Sequence, residues 1–315
     1  MSVASISTKT ETEERKPDIY FSQSRLNLAI GCLGKYYFRY IKEISTPSII
    51  WPATLFGKVN HKVTEDFIAE LRAGGFKKEI NKINANKDSA QLRKYFIDSF
   101  QKEYQRYFEE VNDKSNTKEQ FRKSRDFNKT NDLKNGSKWS AKVHEFLIKY
   151  TDMNEHSVTE QKVTHFVETE NNKLIKTTAY MDFIPSPEKH FIYDFKNTKK
   201  PEKYYFVDWD NDLQSLIYLF LYYKEFRVFP KRFGYLVFSF QESMILVNDN
   251  QTSEDDLPVV KEKYYKALSR LEKAHEICVD PALWICSPQK CKWCEFNKKK
   301  FCEKGFNFLK KSKNK

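Results

Sequence analysis

The stretch Phe191-Ile192-Tyr193-Asp194-Phe195-Lys196-Asn197-Thr198 decides how the rest of the chain is interpreted. Aromatic and β-branched residues fill its first part and a polar run follows it, a pattern typical of a β-strand. Side chains two positions apart share a face of a strand, so Asp194 and Lys196 are expected to point the same way. A carboxylate beside an ammonium group suits metal-assisted attack on a phosphodiester, although most such pairs are ordinary solvent-facing ion pairs. The interpretation therefore depends on the rest of the chain.

The composition is that of a folded protein with an anionic partner. The 315 residues are 40% hydrophobic and 16% aromatic, enough for a substantial core, and the formal net charge is +12. That charge favours nucleic acid or an anionic membrane surface. No apolar run reaches the roughly 18 residues of a membrane-spanning helix, and the N-terminus lacks the apolar block of a signal peptide. We therefore expect a cytoplasmic protein with no membrane partner and no disulfides.

Periodicity predicts helices in the first half of the chain. Residues 1–18 are polar and are expected to form a disordered tail. A helix is predicted from Ser22 or Ser24 to about Tyr40, with Cys32 within it or at its end, and a second follows Pro52. Residues 76–150 form a basic, helical insertion with helices over about 89–111 and 138–150, and residues 304–315 form a basic tail.

From Val158 the period of the apolar residues changes to two, which predicts strands. They span 158–168, 174–184 and 191–198, and the first two form a hairpin across Asn171 and Asn172. A helix over 210–226, strands over 233–240 and 244–247, and a long helix over 257–278 complete the pattern. This order predicts an α/β fold in which helices flank a mixed central sheet.

Two further side chains are predicted to meet Asp194. Asp182 lies near the end of the preceding strand, and neighbouring antiparallel strands are about 4.8 Å apart, so two carboxylates at one end of the sheet can chelate one divalent cation. His61 lies off the apolar stripe of the second helix. Taken alone, Asp182 could instead cap a turn at the end of its strand, and His61 could be an ordinary histidine on a helix surface.

Three polar groups complete the candidate site. Gln214 and Tyr218 stand at i, i+4 spacing on the helix after the strand, where they could orient a phosphate or a water. The alternative is a helix-surface glutamine beside a core tyrosine. Glu160, in the first strand, is expected to support the metal ligands or contact the substrate.

In chain order these motifs resemble those of RecB-like nucleases of the PD-(D/E)XK superfamily. The run Ser22–Tyr40 resembles their opening motif and Gly57–His61 their G-x3-H helix. Asp182 and Asp194–Lys196 resemble their acidic and lysine motifs, and Gln214–Tyr218 their final helix motif. The resemblance spans a nuclease domain over 19–303, and the insertion at 76–150 stands outside it.

The resemblance implies a restriction-endonuclease-like core and a role for each matched residue. His61, Asp182 and Asp194, with the backbone carbonyl of Phe195, would ligate Mg²⁺ or Mn²⁺. Lys196 would assist the water and the scissile phosphate. Gln214 and Tyr218 would position the substrate.

The six cysteines include Cys32 near the start and a cluster near the C-terminus, which consists of Cys278, Cys286, Cys291, Cys294 and Cys302. Such crowding favours a metal or an iron–sulfur cluster over disulfides. The segment 278–303 resembles that of the iron–sulfur subgroup, which includes AddB-type nuclease domains and CRISPR-associated exonucleases. That resemblance implies a [4Fe–4S] cluster on Cys32, Cys291, Cys294 and Cys302. A Zn²⁺ site in which Cys286 replaces Cys32 is the alternative.

These patterns together predict a metal-dependent DNA nuclease, an exonuclease acting on single strands or duplex ends. It would serve DNA recombination, repair or phage DNA metabolism, with helicase or recombination and replication proteins as partners. Two alternatives stay open: a catalytically inactive nuclease-fold subunit that binds DNA or assembles a complex, and an RNA-processing nuclease.

Overall fold

The computed structural model describes most of the chain. The described residues are 15–46, 48–85, 87–113, 119–121, 128–151, 153–198, 204, 212–239, 244–284, 291, 294–298 and 302. The predictions for residues 1–14, for Cys286 and for the tail 304–315 lie outside these ranges.

Helices and strands alternate in blocks. The helices are α1 (Gln23–Gly31), α2 (Leu33–Tyr36), α3 (Pro52–Arg72), α4 (Lys77–Asn84), α5 (Ala90–Asn112), α6 (Lys129–Thr151), α7 (Leu213–Phe226), α8 (Leu257–Ile277) and α9 (Glu295–Lys298), with a π-helical segment over Tyr37–Ile41. The strands are β1 (Ile19–Phe21), β2 (Ser48–Ile50), β3 (Glu119–Phe121), β4 (Val158–Glu168), β5 (Leu174–Ile184), β6 (Phe191–Asn197), β7 (Arg232–Ser239) and β8 (Met244–Gln251).

The predicted strands are confirmed. β4 and β5 have the predicted bounds, and they pair in a hairpin whose turn places Asn172 at φ 56°. Asparagine tolerates this left-handed backbone better than most residues. β8 is longer than predicted, because it pairs with β7 along its whole length, from Met244 opposite Ser239 to Gln251 opposite Arg232.

The predicted helices are confirmed with three differences. The first helix breaks at Cys32, whose extended backbone (φ −167°) ends α1 and caps α2. α6 begins at Lys129, nine residues before the predicted start at about 138, and α4 was not predicted at all. The buried side chains of Ile80 and Ile83 explain α4, since two apolar residues three apart suffice for a short helix when a core receives them.

The described residues form two compact units. The smaller lies within 1–44, 163–179 and 261–315, and the larger within 45–162 and 180–260. In the smaller unit β1 runs parallel to the first part of β5. In the larger unit β5 and β6 are antiparallel, β6 and β7 parallel, and β7 and β8 antiparallel, so the sheet is mixed as predicted.

The insertion is part of the larger unit's core. Phe96, Phe100 and Tyr104 on α5 are completely buried together with Phe56 and Phe67 on α3. Their rings meet at centroid distances between 4.8 and 5.7 Å. Burying large aromatic side chains contributes strongly to stability, so the insertion is expected to support the helix that carries His61.

Candidate active site

The site is built on two neighbouring strands of the larger unit. The antiparallel register that pairs Phe183 with Tyr193 sets Asp182 on β5 opposite Asp194 on β6. The backbone N–H of Phe195 donates a hydrogen bond to Asp182 Oδ2 at 2.9 Å. The predicted pairing of the two carboxylates is thus present at this position of the sheet.

Asp194 and Lys196 lie on the same face of β6, as the strand geometry predicts. The Lys196 ammonium forms an ion pair with Asp194 Oδ2 and donates to Gln214 Oε1 at 2.9 Å. The amide of Gln214 donates in turn to Asp194 Oδ1 at 2.5 Å. Asp194 is only 1% exposed, so these partners compensate the loss of water around a buried carboxylate.

Gln214 lies in the first turn of α7, and contacts at the start of this helix fix its position. Asp212 caps this helix by accepting from the backbone N–H of Ser215 at 3.2 Å, and it also accepts from the hydroxyl of Tyr235. The Gln214 amide donates to the Tyr218 hydroxyl at 3.1 Å, and that hydroxyl donates to the carbonyl of Tyr180 at 2.7 Å. Gln214 and Tyr218 therefore form a continuous chain of hydrogen bonds from Asp194 to the backbone carbonyl of Tyr180.

His61 connects two carboxylates. Its Nδ1 lies 3.0 Å from Glu160 Oε1 and its Nε2 lies 3.7 Å from Asp182 Oδ2. One ligand atom from each of the three residues lies within 4.8 Å of the others, which makes this a group that could hold a metal ion. Glu160 has a left-handed backbone, with φ 51°, inside strand β4. Strain of this kind concentrates at functional sites in proteins.

Burial and mutual repulsion shift the acid pKa values. Burial and then the nearby charge of Asp194 raise the pKa of Asp182 to about 7, against the opposing effects of His61, the Phe195 backbone N–H and Lys196. Burial also raises the pKa of Asp194, although its ion pair with Lys196 acts in the opposite direction. Two close carboxylates that resist ionising together favour a bound cation.

The pKa values of the two basic groups of the site, His61 and Lys196, are raised. Burial lowers the pKa of His61, but its hydrogen bond to Glu160 and the charge of Asp182 outweigh burial, and the net change is upward. Burial likewise opposes the charge on Lys196, but Asp194 raises the pKa of Lys196 above its ordinary value. The lysine is therefore an ammonium ion throughout the neutral range.

A cleft of about 600 Å³ opens beside these groups in the larger unit. It is lined by Thr54, Gly57, Lys58, His61, Lys62, Glu65, Tyr107, Glu160, Phe195, Lys196 and Asn197. A volume between roughly 300 and 1,000 Å³ is usual for a ligand-binding pocket. Of the candidate site residues, His61, Glu160, Phe195 and Lys196 therefore face a space large enough for a substrate group.

Sequence reasoning missed three residues here. Asp212 and Tyr235 brace the start of α7, and Tyr107 reaches the cleft from the insertion. Asp212 precedes an apolar helix in the way of an N-cap, which is a signal available from sequence. Tyr107 has no such signal, because its position depends on how α5 packs in the larger unit.

The cysteines that the structure describes lie in the smaller unit. Cys302 is buried with Phe38, Trp284 and Phe296, and Cys294 is packed against this cluster. The thiol of Cys32 accepts from the backbone N–H of Lys35 at 3.4 Å. Cys278 is buried as an apolar residue at the end of α8.

The mixed sheet flanked by helices, with facing aspartates and a lysine on adjacent strands, is the restriction-endonuclease-like fold. The family model of the PD-(D/E)XK nuclease superfamily matches residues 20–302, and the chain belongs to that superfamily. Its class is therefore that of phosphodiester-hydrolysing nucleases.

Two solved structures are similar to the chain. A protein from Eubacterium rectale named as a candidate exonuclease is 13% identical, with a TM-score of 0.46, over 95% of this chain and 93% of that one. The protein SSO0001 is 11% identical, with a TM-score of 0.32, over 84% and 91% of the two chains. No curated protein matches the sequence. Within the described ranges, no helix is both long and apolar enough to cross a bilayer.

Proposed function

We propose that the protein is a metal-dependent DNA nuclease of the RecB-like type, acting as an exonuclease. One observation carries the proposal: the His61, Glu160 and Asp182 group lies beside the hydrogen-bonded network of Asp194 and Lys196. Of these residues, His61, Glu160 and Lys196 line one cleft. Ordinary ion pairs on a solvent-facing strand do not require a buried aspartate opposite a second, partly buried one.

The donor atoms fit a hard divalent cation. Carboxylate oxygens suit Mg²⁺, and an imidazole among them also suits Mn²⁺. His61, Asp182 and Asp194, with the Phe195 carbonyl, would hold the ion, and Glu160 would fix the orientation of the His61 ring through Nδ1. When bound, such an ion acidifies a water and neutralises charge on the phosphate.

The remaining chemistry belongs to side chains of this chain. The Lys196 ammonium, fixed by Asp194 and Gln214, would stabilise negative charge that develops on the phosphate and orient the attacking water. Gln214 and Tyr218 would hold the side chains of Lys196 and Asp194 in their positions relative to each other. The position of Lys196 thus depends on a helix that Asp212 and Tyr235 hold in place.

The test is cleavage of end-labelled single- and double-stranded DNA in Mg²⁺, in Mn²⁺ and in EDTA. We expect metal-dependent products that shorten from an end, and their loss in Asp194→Ala and Lys196→Ala. The matched control is Lys94→Ala, which removes an exposed lysine on α5 and should leave cleavage unchanged.

The alternatives give different results in the same assay. A folded protein that binds DNA in EDTA but cleaves none in either metal would be an inactive DNA-binding subunit. Preferential cleavage of a matched RNA in competition would identify an RNA-processing nuclease. Roles in recombination, repair or phage DNA metabolism, with a helicase or replication partner, follow only if DNA is the substrate.

We also propose a [4Fe–4S] cluster on Cys32, Cys291, Cys294 and Cys302. Support comes from the packing: Cys294, Cys302 and Leu33, the neighbour of Cys32, belong to one hydrophobic cluster. Four thiols are the donor set that such clusters use. Anaerobic purification should give a brown protein containing iron and sulfide, whereas a colourless protein with one zinc would favour the Zn²⁺ alternative.

A further inference from the structure

A second cavity lies within the smaller unit, with a volume of about 530 Å³. This volume is in the usual range for a small-molecule site. Its lining includes the tyrosines of β1, α2 and the π-helical segment, and its other polar residues are Lys16, Asp18, Arg25, Arg39, Glu43 and His275. The cavity shares no lining residue with the active-site cleft. The proposed function therefore leaves it without a role.

Arg25, on α1, contacts two aromatic rings of this cavity. Its guanidinium carbon lies 4.2 Å from the centre of the Tyr40 ring and 5.2 Å from the centre of the Tyr20 ring. Cation–π contacts of this kind leave the five N–H donors of a guanidinium in need of acceptors. Among the residues that the structure describes, none accepts a hydrogen bond from the Arg25 side chain, and no carboxylate forms an ion pair with it.

Two other charged residues of the cavity already have partners of opposite charge. Arg39 forms an ion pair with Glu295 at 3.4 Å. Asp18 forms one with Arg15 at 2.8 Å and also accepts a hydrogen bond from a backbone N–H. The charges of Arg39 and Asp18 are therefore balanced within the protein.

The remaining two charged residues, Lys16 and Glu43, are exposed and opposite in sign. Water solvates exposed charges well, so neither requires a partner. Arg25 is only partly exposed, and a partly buried cation without acceptors is costly. Within the described part of the cavity, Arg25 is thus the group that calls for an anion from outside the chain.

A tyrosine–histidine pair provides a neutral donor in the same cavity. The Tyr36 hydroxyl lies 3.1 Å from Nδ1 of His275, and the two rings pack edge to face. Burial lowers the pKa of His275, so the imidazole is neutral at neutral pH. When Tyr36 donates to Nδ1, the imidazole proton is on Nε2, which is then a donor. The pair adds a hydrogen-bonding group without supplying a counter-charge for Arg25.

We propose that this cavity is a second ligand site, which binds a nucleotide with its phosphate group on the Arg25 guanidinium. Arginine forms paired hydrogen bonds with phosphate oxygens, so one contact would supply both the acceptors and the counter-charge. The cavity is larger than a phosphate ion requires, and its tyrosines suit the sugar and base of a nucleotide. A free nucleotide and the terminal nucleotide of a strand carry this same group. The inference does not rest on the proposed nuclease function.

The test is binding of deoxyadenosine monophosphate to the full-length protein in EDTA, measured by isothermal titration calorimetry. We expect Arg25→Ala to raise Kd roughly tenfold to a hundredfold, the range for hydrogen bonds to a charged group. Arg25→Lys should recover part of the affinity, because lysine keeps the charge but not the paired contact. Two controls should bind as the unaltered protein: Arg270→Ala removes an exposed arginine of α8 outside the cavity lining, and Lys196→Ala alters the candidate active site.

A second measurement uses the unaltered protein, so it does not depend on how well a variant folds. Deoxyadenosine monophosphate should bind at least roughly tenfold more tightly than deoxyadenosine or inorganic phosphate. An oligonucleotide with a terminal phosphate is compared with one lacking it. Tighter binding of the phosphorylated strand than of the free nucleotide would identify a strand end as the ligand, and the reverse would identify a free nucleotide.

Three results would overturn the inference: no binding of any phosphorylated ligand, equal binding of deoxyadenosine and its monophosphate, or an affinity that Arg25→Ala leaves unchanged. A protein that binds the nucleotide through Arg25 but cleaves no DNA would contradict the proposed nuclease function and leave this inference standing. The two proposals therefore fail separately.

Discussion

At the scale of single residues, the candidate site depends on how Asp194 is compensated. A carboxylate that is 1% exposed loses nearly all of its hydration. The ion pair with Lys196 and the hydrogen bond from Gln214 replace the lost water. Lys196 is held at the cleft by this ion pair and by its own hydrogen bond to Gln214. The two residues that compensate the buried carboxylate therefore also position the ammonium group.

Gln214→Ala should therefore reduce activity strongly without preventing folding. It removes the hydrogen bonds to Asp194 and Lys196, and a hydrogen bond to a charged group contributes about 1.5–3 kcal/mol. We expect kcat to fall roughly 10- to 100-fold in single-turnover DNA cleavage, with a smaller change in KM. Gln91→Ala, at an exposed position of α5, is the control. Activity within twofold of the unaltered protein would show that Gln214 does not position Lys196.

Because the backbone at Glu160 is strained, we predict that replacing this residue by glycine stabilises the fold but weakens metal binding. Glycine adopts φ 51° without the steric cost of a side chain. Glu160→Gly should therefore raise the free energy of unfolding of the metal-free protein by about 1 kcal/mol in a urea titration. It should also weaken Mn²⁺ binding roughly 10- to 100-fold, measured by electron paramagnetic resonance, because the His61 ring loses its partner.

Glu160→Gln separates the two effects. It keeps the left-handed backbone, so the free energy of unfolding should stay near that of the unaltered protein. It retains a side chain that can hydrogen-bond to His61 but loses the negative charge, so the affinity for Mn²⁺ should be intermediate. Equal stability of the glycine and glutamine variants would mean that the backbone at Glu160 carries no strain.

At the scale of elements, α3 and α6 depend on close packing. Gly136 on α6 faces α3 and α5, where an added Cβ would lie 2.8 Å from ring carbons of Phe100 and closer still to Phe56. Both rings are buried and packed, so neither can move away without disturbing the core. The small residue is thus required by the approach of the helices and not by backbone conformation.

Gly136→Ala should destabilise the protein even though alanine is the better helix former. The gain in helix propensity is about 1 kcal/mol, whereas overpacking a core costs roughly 1–3 kcal/mol. We expect a net loss of up to about 2 kcal/mol in the free energy of unfolding, measured by urea denaturation at neutral pH. The neighbouring exposed residue gives the control: Asn135→Ala gains propensity without a clash and should be slightly stabilising.

At the scale of the whole molecule, one buried histidine is expected to make stability depend on pH. His144 on α6 is completely buried and stacks on Phe96 at 4.4 Å. Its Nδ1 donates to the carbonyl of Ser140 at 2.7 Å and its Nε2 lies 3.0 Å from the hydroxyl of Thr64. Burial lowers the pKa of His144 to about 4.

The direction in which stability changes with pH follows from the unfolded chain, in which the pKa of this histidine is near 6.5. Above that pH both states are neutral and the stabilising contribution is complete. As pH falls from 6.5 towards 4 the unfolded state binds the proton first, so the contribution is lost, by about 3 kcal/mol in total. Urea titrations between pH 7.5 and 4.5 should show this loss, and it should disappear in His144→Leu relative to the unaltered protein. His156→Gln, at an exposed position, should keep it.

Sequence alone located the longer helices and strands and identified the candidate site residues. Alternation of apolar residues located β4 and β5, and a run of aromatic and β-branched residues located β6. The i, i+2 spacing placed Asp194 and Lys196 on one face of β6. The order of the motifs indicated the superfamily that the family model then confirmed. The roles assigned to His61, Gln214 and Tyr218 remain predictions.

The tertiary structure decided what no local pattern encodes. The register of β5 on β6 faces the two aspartates, and the packing of α3 brings His61 to Glu160, a partner 99 residues away. It also delivers Tyr107 from the insertion to the cleft. Contacts between distant segments depend on how whole surfaces fit together, and periodicity reports only which face of each element is apolar.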